Sequence, residues 1–446
     1  MKDLLSLADF AVKRSQKMKA DESEAYISSG KEIRVVIEGK QIKSVEVQER
    51  TGLGMRAIKN KGLGFASTNQ LERKKIEEVV ADSLSLARQA IPDQFNCFPG
   101  PVDVLKVELL YDKEAENFSL DRALEYANQM LQTAFEFDSR ILIDKGLFIF
   151  TNHQRAIVNS LGVKGAEKET LFEYLISGSA REGEEITSSF YGEEAVRFTN
   201  QIDVEKVAKV FAQRAIKSLG ARPGESFLGR VIFSPQAVTG LLLPIISSVL
   251  AESVQSGISP LKGRLGEEIA VKSLTIEDNG LIPGGIGSGS FDREGVSPQP
   301  LYIIRNGILS SYLYNTHTAK KEGRKSTGHA SGGSRSTPAI NPTNLFVQPG
   351  DKPYEELIRE TKKGIFVTFL MAYPNPVSGD FSGAVGGGFQ IENGEMKPIN
   401  GILVSGNIYK VLKEISGISK ERELVLSACP ITAPYLQMEN LSIVGN

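Results

Sequence analysis

The order of helical and strand patterns in the first half of the chain restricts the fold most strongly. An apolar stripe from Leu4 to Val12 has helical spacing, and two alternating runs, EIRVVIEG and QIKSVEVQE, follow it on either side of Gly39-Lys40. The runs GMRAIKN and GLGFAST flank a turn at Asn60-Lys61-Gly62, and a helix is predicted over Leu71–Ala90. The pattern therefore predicts a β-meander between two helices.

A similar order of elements recurs after the linker Phe98-Pro99-Gly100-Pro101. We predict a helix over Leu120–Phe137, a strand–turn–strand over GLFIFTNHQRAIVNSLG with its turn at Asn152-His153, and a closing helix over Val204–Leu219. The first half should therefore contain duplicated helix–β-meander–helix units at residues 1–97 and 104–220, which together form an N-terminal domain.

Beyond Pro223-Gly224 the chain becomes rich in glycine, serine and proline, and its strand signals are short. Asn306-Gly307 and Asn393-Gly394 stand between alternating runs, which is typical of hairpin turns. A helix near Ile408–Ile415 and a last strand over Leu441–Val444 complete a β-rich C-terminal domain, predicted at residues 225–446. The predicted class is α+β, with a β-rich C-terminal half around a central helix.

The central helix is the apolar segment SPQAVTGLLLPIISSVLAESV, residues 234–254. Ser234 suits the N-cap and Pro235 the first helical position, whereas Pro244 removes a backbone donor and should kink or split the helix. The segment is too polar for a membrane anchor, because it contains Gln236, Thr239, Ser247, Ser248 and Glu252.

Composition narrows the class of function. The 446 residues have a formal net charge of -2. The densest basic run, residues 320–325, is interrupted by Glu322, so we expect no nucleic-acid partner. We also expect no membrane association, since the N-terminal segment lacks the apolar core of a secretory signal. The isolated cysteines Cys97 and Cys429 favour a cytoplasmic, reducing location.

Side chains suited to catalysis are few. His153, His317 and His329 have no second histidine at helical spacing, so spacing predicts no self-contained zinc site. His153 is expected at the surface, whereas His317 and His329 lie near a Gly/Ser-rich loop and are candidates for a binding role. The carboxylates of IEDN and FDREG have turn-like contexts, and the hydroxyls of STGHASGGSRST lack the surroundings of a catalytic nucleophile. The stretches PGGIGSGS and GAVGGGF are typical of flexible loops or of close backbone approaches.

Several phrases, taken in their order, resemble the TldD/TldE (PmbA) family, whose members have been called modulators of DNA gyrase and form zinc-metallopeptidase complexes. The N-terminal phrase is GLGMRAIKNKGLGFAST. The C-terminal phrases are FSPQAVTGLLLP, SPLKGRLGEEIA, SLTIEDNG, FDREGV, GILSSYL, STGHAS, NPTNLFVQPGD, NPVSGDFSGAVGGGFQIENGE and NLSIVG. The resemblance extends over nearly the whole chain.

In the metal-bearing TldD members, the helix after S-P-x-A carries H-E-x-x-x-H, whose histidines hold zinc and whose glutamate can act as general base. In this register Pro244, Ile245 and Val249 occupy the three functional positions. The resemblance therefore implies the TldE/PmbA branch, with no catalytic residue and no metal ligand in this chain and with zinc in a TldD-type partner. Cys429 falls where TldD members place a cysteine ligand, but the G-K-x-G-Q context of that ligand is absent.

The resemblance implies a metal-free subunit that binds unfolded peptides in an extended form and pairs with a TldD-type subunit, with a second copy of itself, or with both. Such a subunit would not be catalytic alone. Motif position supplies the substrate-binding candidates Asp292, Glu294, Gly295, Ser326, Thr327, Gly328, His329, Gly379, Asp380 and Ser382. One alternative is a non-enzymatic adaptor that binds DNA gyrase or toxin–antitoxin proteins. Another is an active homodimer with a nucleophile in the loop 326–334.

Overall fold

Long antiparallel strands organise the first half of the chain. The structure, a computed structural model, describes residues 2–445. The helices of this half are α1 (Lys2–Lys17), α2 (Arg73–Gln89), α3 (Leu120–Phe137) and α4 (Val204–Lys217), with single 3-10 turns at Glu114–Asn117 and Thr199–Gln201. The strands are β1 (Glu22–Glu38), β2 (Gln41–Lys59), β3 (Gly62–Thr68), β4 (Ile141–Asn159), β5 (Lys164–Glu182), β6 (Glu185–Ile186) and β7 (Phe190–Val196).

These strands form one seven-stranded sheet in the order β3-β2-β1-β4-β5-β6, with β7 paired to β5. The two helix–meander–helix units meet where β1 pairs with β4 in antiparallel register, so that Ala25 lies opposite Val158. Helices α1 and α2 cover one part of the sheet, and α3 and α4 cover another. The recurring element order therefore produces a shared sheet.

Alternation along β1 explains how one strand serves both helix pairs. The odd-numbered Ala25 and Ile27 pack with α1 and α2, and the odd-numbered Ile33 and Val35 pack with α3 and α4. Even-numbered residues point to the opposite face, and Tyr26 on that face is buried against the second half of the chain. The N-terminal part of β1 is thus buried on both faces.

The turn predicted at Asn152-His153 is wrong, because β4 runs unbroken through both residues. His153 lies between Gly30 of β1 and Glu169 of β5, and its Nδ1 is 3.0 Å from Glu169 Oε1. Pairing on both sides outweighs the local turn preference of Asn-His. The runs QIKSVEVQE and GMRAIKN likewise belong to a single strand, β2.

The second half is β-rich, as predicted, and the chain has an α+β fold. Its helices are α5 (Pro235–Ser248), α6 (Ala251–Gln255), α7 (Thr316–Lys321), α8 (Tyr354–Arg359) and α9 (Ile408–Val411). Its strands begin with β8 (Arg222–Pro223), β9 (Phe227–Phe233), β10 (Ile276–Asp278), β11 (Leu301–Arg305), β12 (Ile308–Leu309), β13 (Ala330–Ser331), β14 (Ala339–Ile340) and β15 (Leu345–Val347). They continue with β16 (Lys363–Ala372), β17 (Asp380–Glu392), β18 (Glu395–Asn400), β19 (Leu403–Asn407), β20 (Ile415–Leu426) and β21 (Pro430–Val444).

A twelve-stranded sheet forms the framework of this half, in the order β12-β11-β10-β15-β21-β9-β16-β17-β18-β8, with β19 and β20 paired beside it. Asn306 and Asn393 have positive φ at the β11–β12 and β17–β18 turns, which confirms both predicted hairpins. The stretch GAVGGGF lies within β17 and is not a flexible loop. The predicted alternative, a close approach of backbones, is seen at Gly383, which lies against Met371 and Ala372 of the neighbouring strand β16.

Helix α5 packs on the large sheet and carries the central apolar segment. The Ser234 side chain caps it by accepting a hydrogen bond from Ala237 N, and Pro235 follows at the first helical position. The helix does not divide at Pro244. It ends at Ser248 because Leu250 adopts an extended conformation and bridges Leu313. Among the helices described between residues 2 and 445, none has the length and hydrophobicity to cross a bilayer.

Candidate functional site

The C-terminal part of α5 is packed as hydrophobic core. Pro244, Ile245 and Val249 are all buried, and Ile245 and Val249 belong to the largest apolar cluster of the protein. Leu243, one residue earlier, is the exposed member of this turn, with 36% of its surface accessible. The segment after the helix is held by Leu313, whose N–H donates to Val249 O over 2.9 Å.

Gly379, Asp380 and Ser382 lie beside this end of α5. Ser248 Oγ is 2.8 Å from Tyr409 Oη, and Tyr409 packs where a side chain at Gly379 would stand. Asn407 Nδ2 donates to Asp380 Oδ1 over 2.8 Å, and Ser405 Oγ donates to Ser382 Oγ over 2.9 Å. Asp380 and Ser382 at the start of β17 are therefore hydrogen-bonded to β19, next to the turn at Gly379.

Asp292 joins two loops of the second half. Its Oδ1 accepts hydrogen bonds from the N–H groups of Glu294 and Val296 at 2.8 and 2.9 Å, and its Oδ2 accepts from Ala330 N at 3.0 Å. Gly295 completes the turn with φ +80, which favours glycine. Burial raises the pKa of Asp292 to about 7, and the Glu294 charge adds to the rise.

A network of four buried charged residues connects the two halves. Arg56 of β2 donates to both Glu24 of β1, from Nη2 over 2.6 Å, and Glu294, from Nη1 over 3.1 Å. Arg293 donates from Nη1 to Glu24 Oε1 over 2.9 Å. Burial favours the neutral form of Glu24, but the charges of Arg56 and Arg293 outweigh it and lower the pKa of this carboxyl.

His329 is buried in a hydrogen-bonded chain. Its Nε2 is 2.8 Å from Asp278 Oδ1, its Nδ1 is 2.8 Å from Thr327 Oγ1, and Asp278 also accepts from Thr343 N. Ser326 Oγ donates to Tyr314 O over 3.3 Å. Gly328 has φ +75, and a side chain there would lie 2.5 Å from Ser297 O. The loop 326–330 is therefore held against neighbouring segments by its contacts with Asp278, Tyr314 and Ser297.

The same loop continues onto the sheet of the first half, and this contact explains two glycines of the N-terminal phrase. A Cβ on Gly54 would lie 2.5 Å from Ser334 O, and one on Gly52 would overlap the Ser334 side chain. Ser28 Oγ donates to Ser334 Oγ over 3.1 Å. The N-terminal phrase and the loop that follows STGHAS, which are far apart in sequence, therefore meet at one interface.

A cavity of about 290 Å³ lies at this interface and is here called the central cavity. The first half contributes Arg155 of β4 and Glu169 of β5, and the second half contributes the loops 286–293, 328–332, 341–343 and 428–430. Asp292, Gly328 and His329 line the central cavity. Glu294, Gly295, Ser326 and Thr327 are neighbours of these residues in the same loops, whereas Gly379, Asp380 and Ser382 are absent from its lining.

Sequence reasoning missed Arg155, Glu169 and Arg293 at the central cavity. The position of Arg293 between Asp292 and Glu294 could have indicated a role at the same site. Arg155 and Glu169 lie in ordinary strand patterns, which give no such indication. Burial opposes ionisation of Glu169, but its hydrogen bond with His153 and the charges of Arg155 and Arg197 lower its pKa to about 2. His317 contacts Asp93 at 2.9 Å and lies outside this lining.

Metal-ligating side chains are sparse near α5. Between residues 2 and 445, no group of three or more His, Cys, Asp or Glu side chains is placed to hold a metal ion. Cys429 lines the central cavity, and burial, with a smaller effect of the Asp278 charge, raises the pKa of its thiol to about 12. Burial therefore favours the neutral thiol of Cys429 over the thiolate.

Comparisons with known proteins agree on one family. Three domain models of PmbA/TldA metallopeptidases match the chain, with domain 1 at residues 23–87, the central domain at 113–219 and the C-terminal domain at 228–445. The chain belongs to the PmbA/TldD family. The sequence resemblance is thereby confirmed.

Several relatives and solved structures are similar to this chain over nearly its full length. The metalloprotease PmbA of Escherichia coli is 27% identical, over 91% of this chain and 89% of that protein. TldE from Thermococcus kodakarensis has the same fold, with a TM-score of 0.92 and 24% identity over 98% of this chain and all of that one. A Thermotoga maritima protein, whose name links it to modulation of DNA gyrase, gives a TM-score of 0.89 and 25% identity, with 98% and 99% of the two chains covered.

Proposed function

We propose that this chain is the metal-free subunit of a TldD/TldE-type metallopeptidase and that it binds unfolded peptides for a zinc-bearing partner. One observation carries the proposal: Pro244, Ile245 and Val249 fill the positions that the family's zinc motif would use, and all three are buried. Neutral apolar groups at these positions leave no unpaired imidazole or carboxylate in the core, which would be costly.

The hydrogen bonding around the candidate residues supports a holding role for this chain. Asp292 uses both carboxylate oxygens to accept backbone N–H groups, and His329 is fixed between Asp278 and Thr327. Side chains held in this way position loops and are not free to transfer protons to a substrate. We therefore assign them to the shape of the binding site and not to catalysis.

Peptide binding through the main chain is supported by the glycines of the central cavity. Gly287, Gly289, Gly328 and Gly332 line it, and a Cβ at Gly287, Gly289 or Gly328 would lie 2.2, 2.3 or 2.5 Å from neighbouring protein atoms, so these loops pack together with backbone at the cavity wall. The short ladder of β13 and β14 borders the same cavity. An extended peptide that pairs with backbone groups is recognised with little dependence on its sequence, as an unfolded client requires.

Partner and location belong to the same proposal. The zinc site and the general base would come from a TldD-type subunit that carries H-E-x-x-x-H, and pairing of two copies of this chain is a second mode of assembly. A cytoplasmic location fits the two cysteines, both of which are free of disulfide bonds.

The test is hydrolysis of an unstructured fluorogenic peptide by the purified chain with zinc, and then by the chain mixed with a TldD-type partner. We expect cleavage only in the mixture, and tighter peptide binding by the mixture than by the partner alone. Zinc-dependent cleavage by the chain alone would refute the proposal. A pull-down that recovers DNA gyrase and no H-E-x-x-x-H protein would favour the adaptor function instead.

A further inference from the structure

The basic run at residues 320–325 borders a second cavity, here called the basic cavity, with a volume of about 360 Å³. Lys320, Arg324 and Lys325 line it, and all three are exposed at the protein surface. No acidic side chain of the described residues 2–445 belongs to its lining. A cavity lined by charges of one sign concentrates ligands of the opposite sign.

Apolar side chains form another part of the wall. Pro99 and Val102 come from the linker between the two helix–meander–helix units, and Val296 comes from the loop that carries Asp292. Val102 is 45% exposed and the Arg324 side chain is 54% exposed. A ligand can therefore reach both the apolar wall and the cations from solvent.

The positive charges of the basic cavity are only partly neutralised within the chain. Arg324 Nε lies 3.6 Å from Glu322 Oε2, an oxygen that already accepts a hydrogen bond from Tyr314 Oη over 2.7 Å. In the part of the chain that the structure describes, residues 2–445, no acidic side chain lies within ion-pair distance of Lys320 or Lys325. An acidic ligand would therefore meet cations that have no carboxylate of their own.

One buried carboxylate lies behind the wall, and its charge is compensated elsewhere. Glu294 Oε2 accepts a hydrogen bond from the N–H of Thr316, which lines the basic cavity, over 2.8 Å. Glu294 Oε1 accepts from Arg56 Nη1 and Nη2, each over 3.1 Å, and the Glu294 side chain is only 2% exposed. This acid therefore belongs to the network between the two halves and leaves the exposed cations unpaired.

The basic cavity and the central cavity are built from the same two loops. Val296 and Ser326 line the basic cavity, whereas Pro298 and Gly328 line the central cavity. The two loops touch each other, since a Cβ on Gly328 would lie 2.6 Å from Pro298 Cα. The basic cavity is therefore placed to hold a second part of a peptide that enters the central cavity.

We propose that the basic cavity is a further peptide subsite, which takes an apolar side chain flanked by acidic residues. The apolar wall suits the side chain, and the three cations suit carboxylates on either side of it. The volume of about 360 Å³ is at the lower end of the range for ligand sites, so it suits a side chain and not a folded segment. The inference rests on the proposed peptide-binding function and specifies its substrate: unfolded segments in which apolar and acidic residues alternate.

The experiment compares three versions of one labelled, unstructured peptide by fluorescence anisotropy, with Glu-Leu-Glu, Gln-Leu-Gln or Glu-Ala-Glu at its centre. The full chain should bind the Glu-Leu-Glu peptide about tenfold more tightly than the Gln-Leu-Gln peptide, since each exposed ion pair contributes up to about fivefold. It should also bind Glu-Leu-Glu more tightly than Glu-Ala-Glu, because leucine buries more apolar surface than alanine. The double variant Arg324→Gln and Lys325→Gln should lose most of the preference for acid, whereas Lys74→Gln, an exposed position of α2 outside the lining, should keep it.

Cys97 reports the place of binding. It lines the basic cavity and is half-buried, and burial raises the pKa of its thiol, so labelling with iodoacetamide at pH 9 should be slow but measurable. At ten times the dissociation constant of the Glu-Leu-Glu peptide, the labelling rate should fall by about tenfold, because only about one chain in eleven remains free.

Each result decides the inference. Equal binding of the three peptides by the wild-type chain would overturn it and leave the peptide-binding function intact. A preference for acid that survives in the double variant, or unchanged labelling of Cys97 at saturation, would place the acidic peptide elsewhere and would also overturn it. If none of the peptides binds, the proposed peptide-binding function itself fails. Urea unfolding of each variant verifies that it is folded.

Discussion

Replacement of Ile245 by alanine tests whether the positions that we align with the family's zinc motif serve as core. Ile245 is 1% exposed and lies in the largest apolar cluster. The change removes three carbon groups, which at about 0.8 kcal/mol each amounts to roughly 2.4 kcal/mol of lost transfer free energy. The unfilled space adds a cavity term and raises the expected loss to about 3–4 kcal/mol, while the higher helix propensity of alanine returns a few tenths.

Leu243→Ala is the matched control for this prediction. Leu243 lies in the same turn of α5 but is 36% exposed, so the same type of truncation removes less buried surface and should cost about 1 kcal/mol or less. The measurement is urea unfolding followed by fluorescence and circular dichroism, with the m-values compared to verify that the denatured states are alike. An Ile245→Ala loss no greater than that of Leu243→Ala would refute the packing argument.

Three further predictions concern the interface, the glycines and the thiols. Glu24→Gln should lower the free energy of unfolding by about 3–5 kcal/mol, because it weakens a buried network and leaves two guanidinium groups poorly paired. Since the pKa of Glu24 is lowered on folding, this contribution to stability is fully present above the unfolded pKa of 4.5 and is lost as the pH falls through the folded pKa. The free energies of unfolding of wild type and variant, measured in urea, should therefore converge in acid. Gly54→Ala should lower the free energy of unfolding by about 1–3 kcal/mol, because the new Cβ would clash with Ser334 O. Gly240→Ala should raise it by about 0.5–1 kcal/mol, because nothing lies within 4 Å of the new Cβ and alanine favours the helix α5. Thermal unfolding should therefore shift in opposite directions for the two variants, and shifts in the same direction would contradict the prediction. Cys429 should resist iodoacetamide in the native protein at pH 8 and react after unfolding, because burial raises the pKa of its thiol to about 12. Mass spectrometry of the labelled peptides measures the reaction. Rapid labelling of the native protein would contradict the burial of this thiol.

Much of the fold follows from signals that act over a few residues. The Gly39-Lys40 turn, the Asn306-Gly307 hairpin and helix α3 all lie where local pattern predicts them, because turn conformation and helical periodicity are encoded locally. The turn predicted at Asn152-His153 fails because β1 and β5 pair with β4 on both sides, which no local rule includes.

The candidate site was less accessible from the sequence. The network of Glu24, Arg56 and Arg293 joins residues as far as 269 positions apart, and no spacing rule relates them. The sequence of GAVGGGF is compatible with a flexible loop or with close backbone approaches, and only the sheet decides between them. A Cβ at Gly383 would lie 2.6 Å from Ala372 Cβ and 2.9 Å from Met371 O of the neighbouring strand. Motif order alone indicated Asp292 and His329, and it could not indicate the cavity that they share with Arg155.

The zinc content of the purified chain tests the central claim most directly. The protein would be incubated with excess zinc, freed of unbound metal by gel filtration and measured by elemental analysis, with a TldD-type protein treated alongside. The account predicts substoichiometric zinc in this chain and stoichiometric zinc in the control, since apolar groups occupy positions 244, 245 and 249. Stoichiometric, tightly bound zinc in the isolated chain would contradict it.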